Sequence, residues 1–108
     1  MTPNQNAESL LHAYDNATRL ALPSADDVAF DLARGYEVAD LLRTQRLARG
    51  ERHVGYKIGF TNRTIWPRYG VFGPIWGPVW NTTTTLLDTA QCEVSLRGLV
   101  QPRLEPEI

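Results

Sequence analysis

A chain of 108 residues, 43% hydrophobic and 21% charged, has room for one small globular domain and not for a second. A formal charge of −1 without a basic stripe argues against nucleic acid as a partner. The single cysteine, Cys92, excludes an internal disulfide, and its apolar neighbours predict that it is buried. No signal peptide or apolar run near ~18 residues is visible, so we expect a cytoplasmic protein without membrane contact.

The amino-terminal half of the chain carries the spacing of amphipathic helices. Apolar residues recur over 7–21 with Asn6 as a candidate N-cap, which predicts a first helix. A second helix is predicted over 32–49, with Asp31 as its cap and Gly50 as its stop signal. Its start remains open by several residues. We therefore expect residues 1–50 to be helical.

After Gly50 the period changes to two, which is typical of strands. Residues 54–59 predict a strand with its apolar side chains on one face. On the other face Lys57 lies between two glycines. The segment 66–80, rich in tryptophan, proline and glycine, predicts an ordered loop without regular structure. Extended structure is also predicted over 82–87, 92–97 and 103–108. The whole chain is then a single α+β domain, helical over 1–50 and with strands and loops over 51–108.

Two acidic side chains near the end of the sequence are candidate metal ligands. Glu105 and Glu107 flank Pro106 and would lie on one face of an extended segment, about 6.6 Å apart along the backbone. Two such carboxylates repel unless a cation lies between them, and a hard divalent ion such as Mg²⁺ or Mn²⁺ is the usual one. The alternative is a solvated strand face on which Arg103 reduces the repulsion.

Lys57 is the single lysine among eleven basic residues, and it has glycine on both sides of its strand face. The missing side chains leave space in which a small anion could approach the ammonium group. A surface lysine on an edge strand is the competing interpretation. The aromatic residues of 66–80 are expected to pack in the core rather than to line a pocket. His12 and His53 are expected to be solvated or to lie at the rim of the core.

Three motifs occur in an order that resembles a known family. They are Gly55-Tyr-Lys-Ile-Gly-Phe-Thr61, the pair Gly70-Val71 with Pro74 and Gly77, and Gln101-Pro-Arg-Leu-Glu-Pro-Glu-Ile108. Tyr36 and Arg49-Gly50-Glu51 add to the similarity. Together these residues resemble the amino-terminal part of the 2-keto-4-pentenoate hydratase family, within the fumarylacetoacetate hydrolase superfamily. The resemblance covers most of the chain.

The resemblance implies an α+β fold in which two amino-terminal helices precede a mixed β-sheet, part of a fumarylacetoacetate hydrolase-like β-roll. It implies that Glu105 and Glu107 bind a divalent metal, Mg²⁺ or Mn²⁺. It also implies that Lys57 lines the active site, as a proton donor or a fixed positive charge. The implied reaction is the addition of water to 2-hydroxypenta-2,4-dienoate, or its 2-keto tautomer, in the meta-cleavage catabolism of aromatic compounds.

Two other functions remain open. One is a 4-oxalocrotonate decarboxylase of the same family, in which Arg63 or Arg68 could meet the distal carboxylate of the substrate. The other is a non-catalytic fragment that pairs with a homologous chain. The resemblance places the third acidic metal ligand and further substrate-binding residues beyond position 108. We therefore expect little turnover from these residues alone, and a homo-oligomer or a second chain that completes the site.

Overall fold

The first helix, α1, spans Pro3–Asp15 in the computed structural model, which describes residues 1–108. The predicted range of 7–21 was wrong because a capping box starts the helix earlier. The Thr2 hydroxyl accepts the Gln5 N–H at 3.2 Å, and the Gln5 side-chain oxygen accepts the Thr2 N–H at 2.8 Å. The helix also ends early, since Ala17 has a left-handed φ of 51°.

The second long helix, α3, confirms the sequence prediction. It spans Leu32–Ala48, and the Asp31 carboxylate accepts the Arg34 N–H at 2.8 Å as the N-cap. A separate short helix, α2, covers Pro23–Asp26, in the region where the start of the second helix was open. Gly50 follows α3 with a φ of 93°, a conformation that glycine adopts without strain.

Two antiparallel strands form the sheet of this chain. Strand β1 spans His53–Gly59 and strand β2 spans Ile75–Trp80, and in their register Lys57 lies opposite Gly77. The α+β class is thus confirmed, with an antiparallel pair as its sheet.

The segment 66–80 contains more regular structure than the sequence predicts. Helix α4 covers Trp66–Tyr69, and β2 follows, so the prediction of an irregular loop was wrong. Pro78 is tolerated inside β2 because each strand of a two-stranded sheet has an edge where no N–H is needed. Edge position thus overrides the usual breaking effect of proline.

The strands predicted after residue 81 are absent. Asn81–Thr83 is a 3₁₀ turn, and no residue from 82 to 108 belongs to a strand. Alternating apolar residues become a strand only where a neighbouring strand supplies hydrogen bonds, and these residues form no such ladder. For the same reason the apolar alternation around Cys92 does not bury it, and the expected buried thiol is exposed.

The chain forms two compact units, Met1–Gln45 with Leu87–Ile108, and Arg46–Leu86. Buried apolar side chains are few: Ala7, Ala13 and Val38 in the first unit and Trp80 in the second. The single-domain organisation remains a prediction. No helix combines the length and the apolar character needed to span a bilayer.

Candidate functional site

Lys57 lies in the middle of β1 on a face that is lined with glycine. Gly55 and Gly59 are its neighbours on the same face of the strand, and Gly77 is opposite on β2. A Cβ atom added to Gly55 or Gly77 would meet nothing within 4 Å, and one added to Gly59 would meet Ile75 only at 4.0 Å. The open space around the lysine that the sequence predicts is therefore present.

A cavity of about 300 Å³ adjoins this face. Of the three tryptophans in residues 66–80, Trp76 lines this cavity. Trp80 is buried in the core, and the Trp66 indole N–H donates to the Phe60 carbonyl at 2.8 Å. The cavity is lined by Lys57, Gly59, Ile75, Trp76, Gly77 and Pro78. The cavity therefore presents one cationic group, the Lys57 ammonium, surrounded by apolar side chains and backbone. Such a lining can bind a small organic anion.

The start of β1 is held by a turn at the end of α3. The Gly50 N–H donates to the Leu47 carbonyl at 3.0 Å and the Glu51 N–H donates to the Arg46 carbonyl at 3.1 Å. This pair of bonds is a Schellman motif, made possible by the positive φ of Gly50. It turns the chain so that Glu51 lies next to the arginines of the last helical turn.

Glu51 is buried, with 8% of its surface exposed, and is the centre of a charged network. Its carboxylate accepts hydrogen bonds from Arg46 at 2.8 Å, from Arg49 at 2.5 Å and from the Thr82 hydroxyl. The Arg46 guanidinium also lies over the Trp80 ring, 5.1 Å from its centroid. The network therefore ties the end of α3 to the turn that follows β2.

The pKa of the Glu51 carboxyl is lowered from its ordinary value of 4.5 to about 2. Burial by itself would raise this pKa, since it penalises the charged form. Hydrogen bonds from Thr82, Arg46 and Arg49, together with the charge of Arg46, outweigh that effect. Glu51 is thus an anion at neutral pH.

The sequence suggested no role for Glu51 beyond the resemblance of Arg49-Gly50-Glu51 to a family motif. A usable signal was present, because an acidic residue just after a helix-ending glycine is close to basic residues of the last turn. Its partner Thr82, 31 residues away, carries no such local signal.

Glu105 and Glu107 are both exposed, in a segment that is neither helix nor strand. Their carboxylate oxygens are the donors that Mg²⁺ and Mn²⁺ prefer, so their chemistry fits such an ion as part of a ligand set. No group of three or more His, Cys, Asp or Glu side chains comes together to hold a metal. The two glutamates belong to the first unit and Lys57 to the second, so their convergence on one ligand remains a prediction.

Other candidate side chains lie on the second unit. Arg63 and Arg68 are exposed, with their guanidinium groups 5.7 Å from the Trp66 ring centroid and 5.9 Å from the Tyr69 ring centroid. His53 is half-buried and makes an edge contact with Trp80 at 6.0 Å between ring centroids, as expected of a histidine at the rim of the core.

Comparison with known proteins points to one group of enzymes. No protein-family model matches the chain. It is 38% identical over 82 residues to a 4-oxalocrotonate decarboxylase from Pseudomonas sp, and 33% identical over 73 residues to a 2-hydroxypent-2,4-dienoate hydratase from Pseudomonas putida. These alignments cover 76% and 68% of this chain, but only 31% and 32% of the relatives.

Solved structures give the same result. Two structures of the 4-oxalocrotonate decarboxylase from Pseudomonas putida G7 match 74% and 75% of this chain with TM-scores of 0.70 and 0.71, at 28% and 27% identity. One is a complex with magnesium and adipate and the other a complex with calcium and acetate. The chain spans about a third of the length of each relative, in the amino-terminal part. The chain is therefore related to the 4-oxalocrotonate decarboxylases and 2-hydroxypent-2,4-dienoate hydratases, and its similarity to them lies in their amino-terminal third.

Proposed function

We propose that this chain supplies part of the active site of a metal-dependent lyase that acts on small 2-keto acids or 2-hydroxydienoates. The first candidate reaction is the hydration of 2-hydroxypenta-2,4-dienoate. The observation that carries the proposal is Lys57, a cation in an open cavity lined by glycine, within a chain whose relatives are a hydratase and a decarboxylase. A small carboxylate is the kind of ligand that such a cavity can hold.

Glu105 and Glu107 would hold the metal in this proposal. Both side chains are exposed, and Pro106 between them restricts the backbone. A bound Mg²⁺ or Mn²⁺ supplies a Lewis acid for the carboxylate and 2-oxo oxygens of the substrate. Magnesium and calcium in the related decarboxylase structures support a divalent ion of this type.

Lys57 would bind the substrate anion and either donate a proton or act as a fixed positive charge. Its ammonium group is a compact donor of three N–H bonds, and the neighbouring glycines allow close approach. Trp76, which lines the same cavity, would pack against the apolar end of the substrate and exclude water there. Charge that develops on substrate oxygens would be stabilised more than the ground state, which accelerates the reaction.

Decarboxylation of a 2-keto dicarboxylate is the second candidate. It is favoured by the 38% identity to a decarboxylase, which exceeds the 33% identity to the hydratase. A dicarboxylate, adipate, is bound in one of the related structures. For this chemistry an additional cation has to meet the distal carboxylate, and the exposed Arg63 and Arg68 are the candidates in this chain.

A chimera tests the proposal and separates the two reactions. This chain would replace the matching amino-terminal third of the 4-oxalocrotonate decarboxylase, and turnover would be measured with Mg²⁺. We expect consumption of 2-hydroxypenta-2,4-dienoate for a hydratase, and release of CO₂ from 2-oxo-hexenedioate for a decarboxylase. The unaltered decarboxylase is the control. A folded chimera that is inactive on both compounds would contradict the proposed function and favour a non-catalytic role.

Metal binding by the two glutamates is tested in the same chimera by Mn²⁺ titration with electron paramagnetic resonance. Replacing both residues, Glu105→Gln with Glu107→Gln, should weaken the Kd for Mn²⁺ at least about tenfold, equivalent to about 1.4 kcal/mol. The matched control is Asp88→Asn with Glu93→Gln, two exposed acids of the same unit, which should leave the Kd unchanged. Equal Mn²⁺ affinity in both double variants would refute the assignment.

A further inference from the structure

We propose that the first unit binds a small organic ammonium ion in a cavity formed by α1, α2 and the segment that joins them. The cavity measures about 210 Å³, and all the residues that line it belong to Met1–Gln45. It involves neither Lys57 nor the glutamates Glu105 and Glu107, so the inference goes beyond the proposed function.

Asn6 is the buried polar side chain of this cavity. It has 5% of its surface exposed, and it lines the cavity with Ser9 and Leu10, which lie on the same face of α1. Its backbone N–H donates to the Thr2 carbonyl at 3.0 Å, but its side-chain amide makes no hydrogen bond within the protein. A buried amide without a partner costs free energy and is rare in folded proteins. Asn6 therefore indicates a ligand that supplies the missing hydrogen bond.

The end of α2 contributes two carboxylates to the same cavity. Asp26 is the last residue of α2 and Asp27 follows it directly. Asp27 Oδ1 accepts the Ala29 N–H at 2.9 Å, whereas the Asp26 carboxylate makes no hydrogen bond or ion pair within the protein. No lysine, arginine or histidine lines the cavity. Its lining is therefore acidic, and a cation is the expected ligand.

The remaining walls favour an organic cation over a metal ion. They include the aliphatic side chains of Leu10, Leu20 and Leu22, which offer no oxygen ligand to a hard ion such as Mg²⁺. No group of three or more His, Cys, Asp or Glu side chains comes together to hold a metal. The cavity is also smaller than the ~300 Å³ at which sites for drug-sized ligands begin. The ligand is thus a short alkyl chain that carries one protonated amine.

Each part of such a ligand has a counterpart in the cavity. The ammonium group donates hydrogen bonds to the Asp26 carboxylate and to the Asn6 side-chain oxygen. The alkyl chain packs against the leucine side chains and leaves water, which stabilises the complex further.

The experiment is a titration of the isotope-labelled 108-residue chain with n-butylammonium chloride at constant ionic strength, followed by nuclear magnetic resonance. We expect a saturable shift of the side-chain amide signals of Asn6. Three comparison ligands, n-butanol, butyrate and magnesium chloride, lack the positive charge or the alkyl chain. Each should bind at least about tenfold more weakly than n-butylammonium.

Two variants test the assigned contacts, with the backbone signals of Ser9 and Leu10 as the readout. Asp26→Asn should weaken the Kd for n-butylammonium at least about tenfold. The matched control, Asp88→Asn, removes the same charge from an exposed position of the same unit outside the cavity and should leave the Kd unchanged. Asn6→Leu has a similar volume and no side-chain hydrogen bond to lose, so it should fold normally and still bind at least about tenfold more weakly.

Three results would each overturn the proposal: no saturable shift with n-butylammonium, equal affinities of Asp26→Asn and Asp88→Asn, or undiminished binding by folded Asn6→Leu. Equal binding of n-butanol would also overturn it, because the cavity would then be a site for apolar molecules only. Tighter binding of magnesium would overturn it in favour of a metal site.

Discussion

A chain carrying Glu51→Gln should lose about 3–5 kcal/mol of unfolding free energy, the typical cost of removing one partner from a buried ion pair. The glutamine keeps the shape of the side chain but leaves the Arg46 guanidinium, which is 9% exposed, without its counter-ion. For a small domain this is a large part of the total stability. Urea unfolding followed by circular dichroism measures the loss.

The matched control is Glu37→Gln, which removes an exposed partner of Arg34 at 3.9 Å on α3. An exposed pair of this kind contributes at most about 1 kcal/mol, so its loss should be small. If the two variants were equally stable, the buried network would have no special role in the fold.

The same network predicts a specific dependence on pH. The folded pKa of Glu51, about 2, lies below the ordinary value of 4.5, so the folded state binds the Glu51 proton more weakly than the unfolded state. The contribution to stability is therefore complete above about pH 4.5 and is lost as the pH falls towards 2. Glu51→Gln should lack this component, so the stability difference between the variant and the unaltered chain should shrink over that pH range.

The second large effect concerns Lys57 in the active chimera. Lys57→Met keeps most of the side-chain length but removes the charge and the donor, and should lower kcat roughly 10²–10⁴-fold, the usual contribution of a positioned acid or base. Folding should be little changed, since the side chain lies exposed on β1. Steady-state kinetics with saturating Mg²⁺ measures the effect.

Lys57→Arg separates the two roles of the lysine. A fixed positive charge would be partly restored by arginine, whereas a proton donor would not, because the guanidinium keeps its proton at any accessible pH. Unchanged kcat in Lys57→Met would remove Lys57 from the proposed active site.

Local signals explain which elements were predicted well. Helix α3 has its N-cap, Asp31, and its stop residue, Gly50, next to the segment they delimit. In strand β1 apolar side chains occupy every second position, and the glycines beside Lys57 are close to it in the sequence as well as in space. Such features depend on residues within a few positions of each other, so a pattern can reveal them.

Predictions failed where an element depends on a partner that is distant in sequence. Apolar alternation suggested strands at 92–97 and 103–108, but a strand needs a ladder that these residues do not form. The proline-containing β2 looked irregular, yet pairing with β1 makes it a strand. The Glu51 network was missed because Thr82 reaches it only after the chain has returned along β2.

The amino-acid sequence by itself determined helix α3, strand β1 with Lys57 between two glycines, and the resemblance to the hydratase and decarboxylase relatives, since these depend on short-range patterns of residue types. Only the tertiary structure decided that Glu51 is a buried anion with a low pKa and that Trp76, and not Trp80, lines the lysine cavity. Burial and ion pairing arise when segments tens of residues apart pack together, and the free energy of that packing is not encoded in any local pattern.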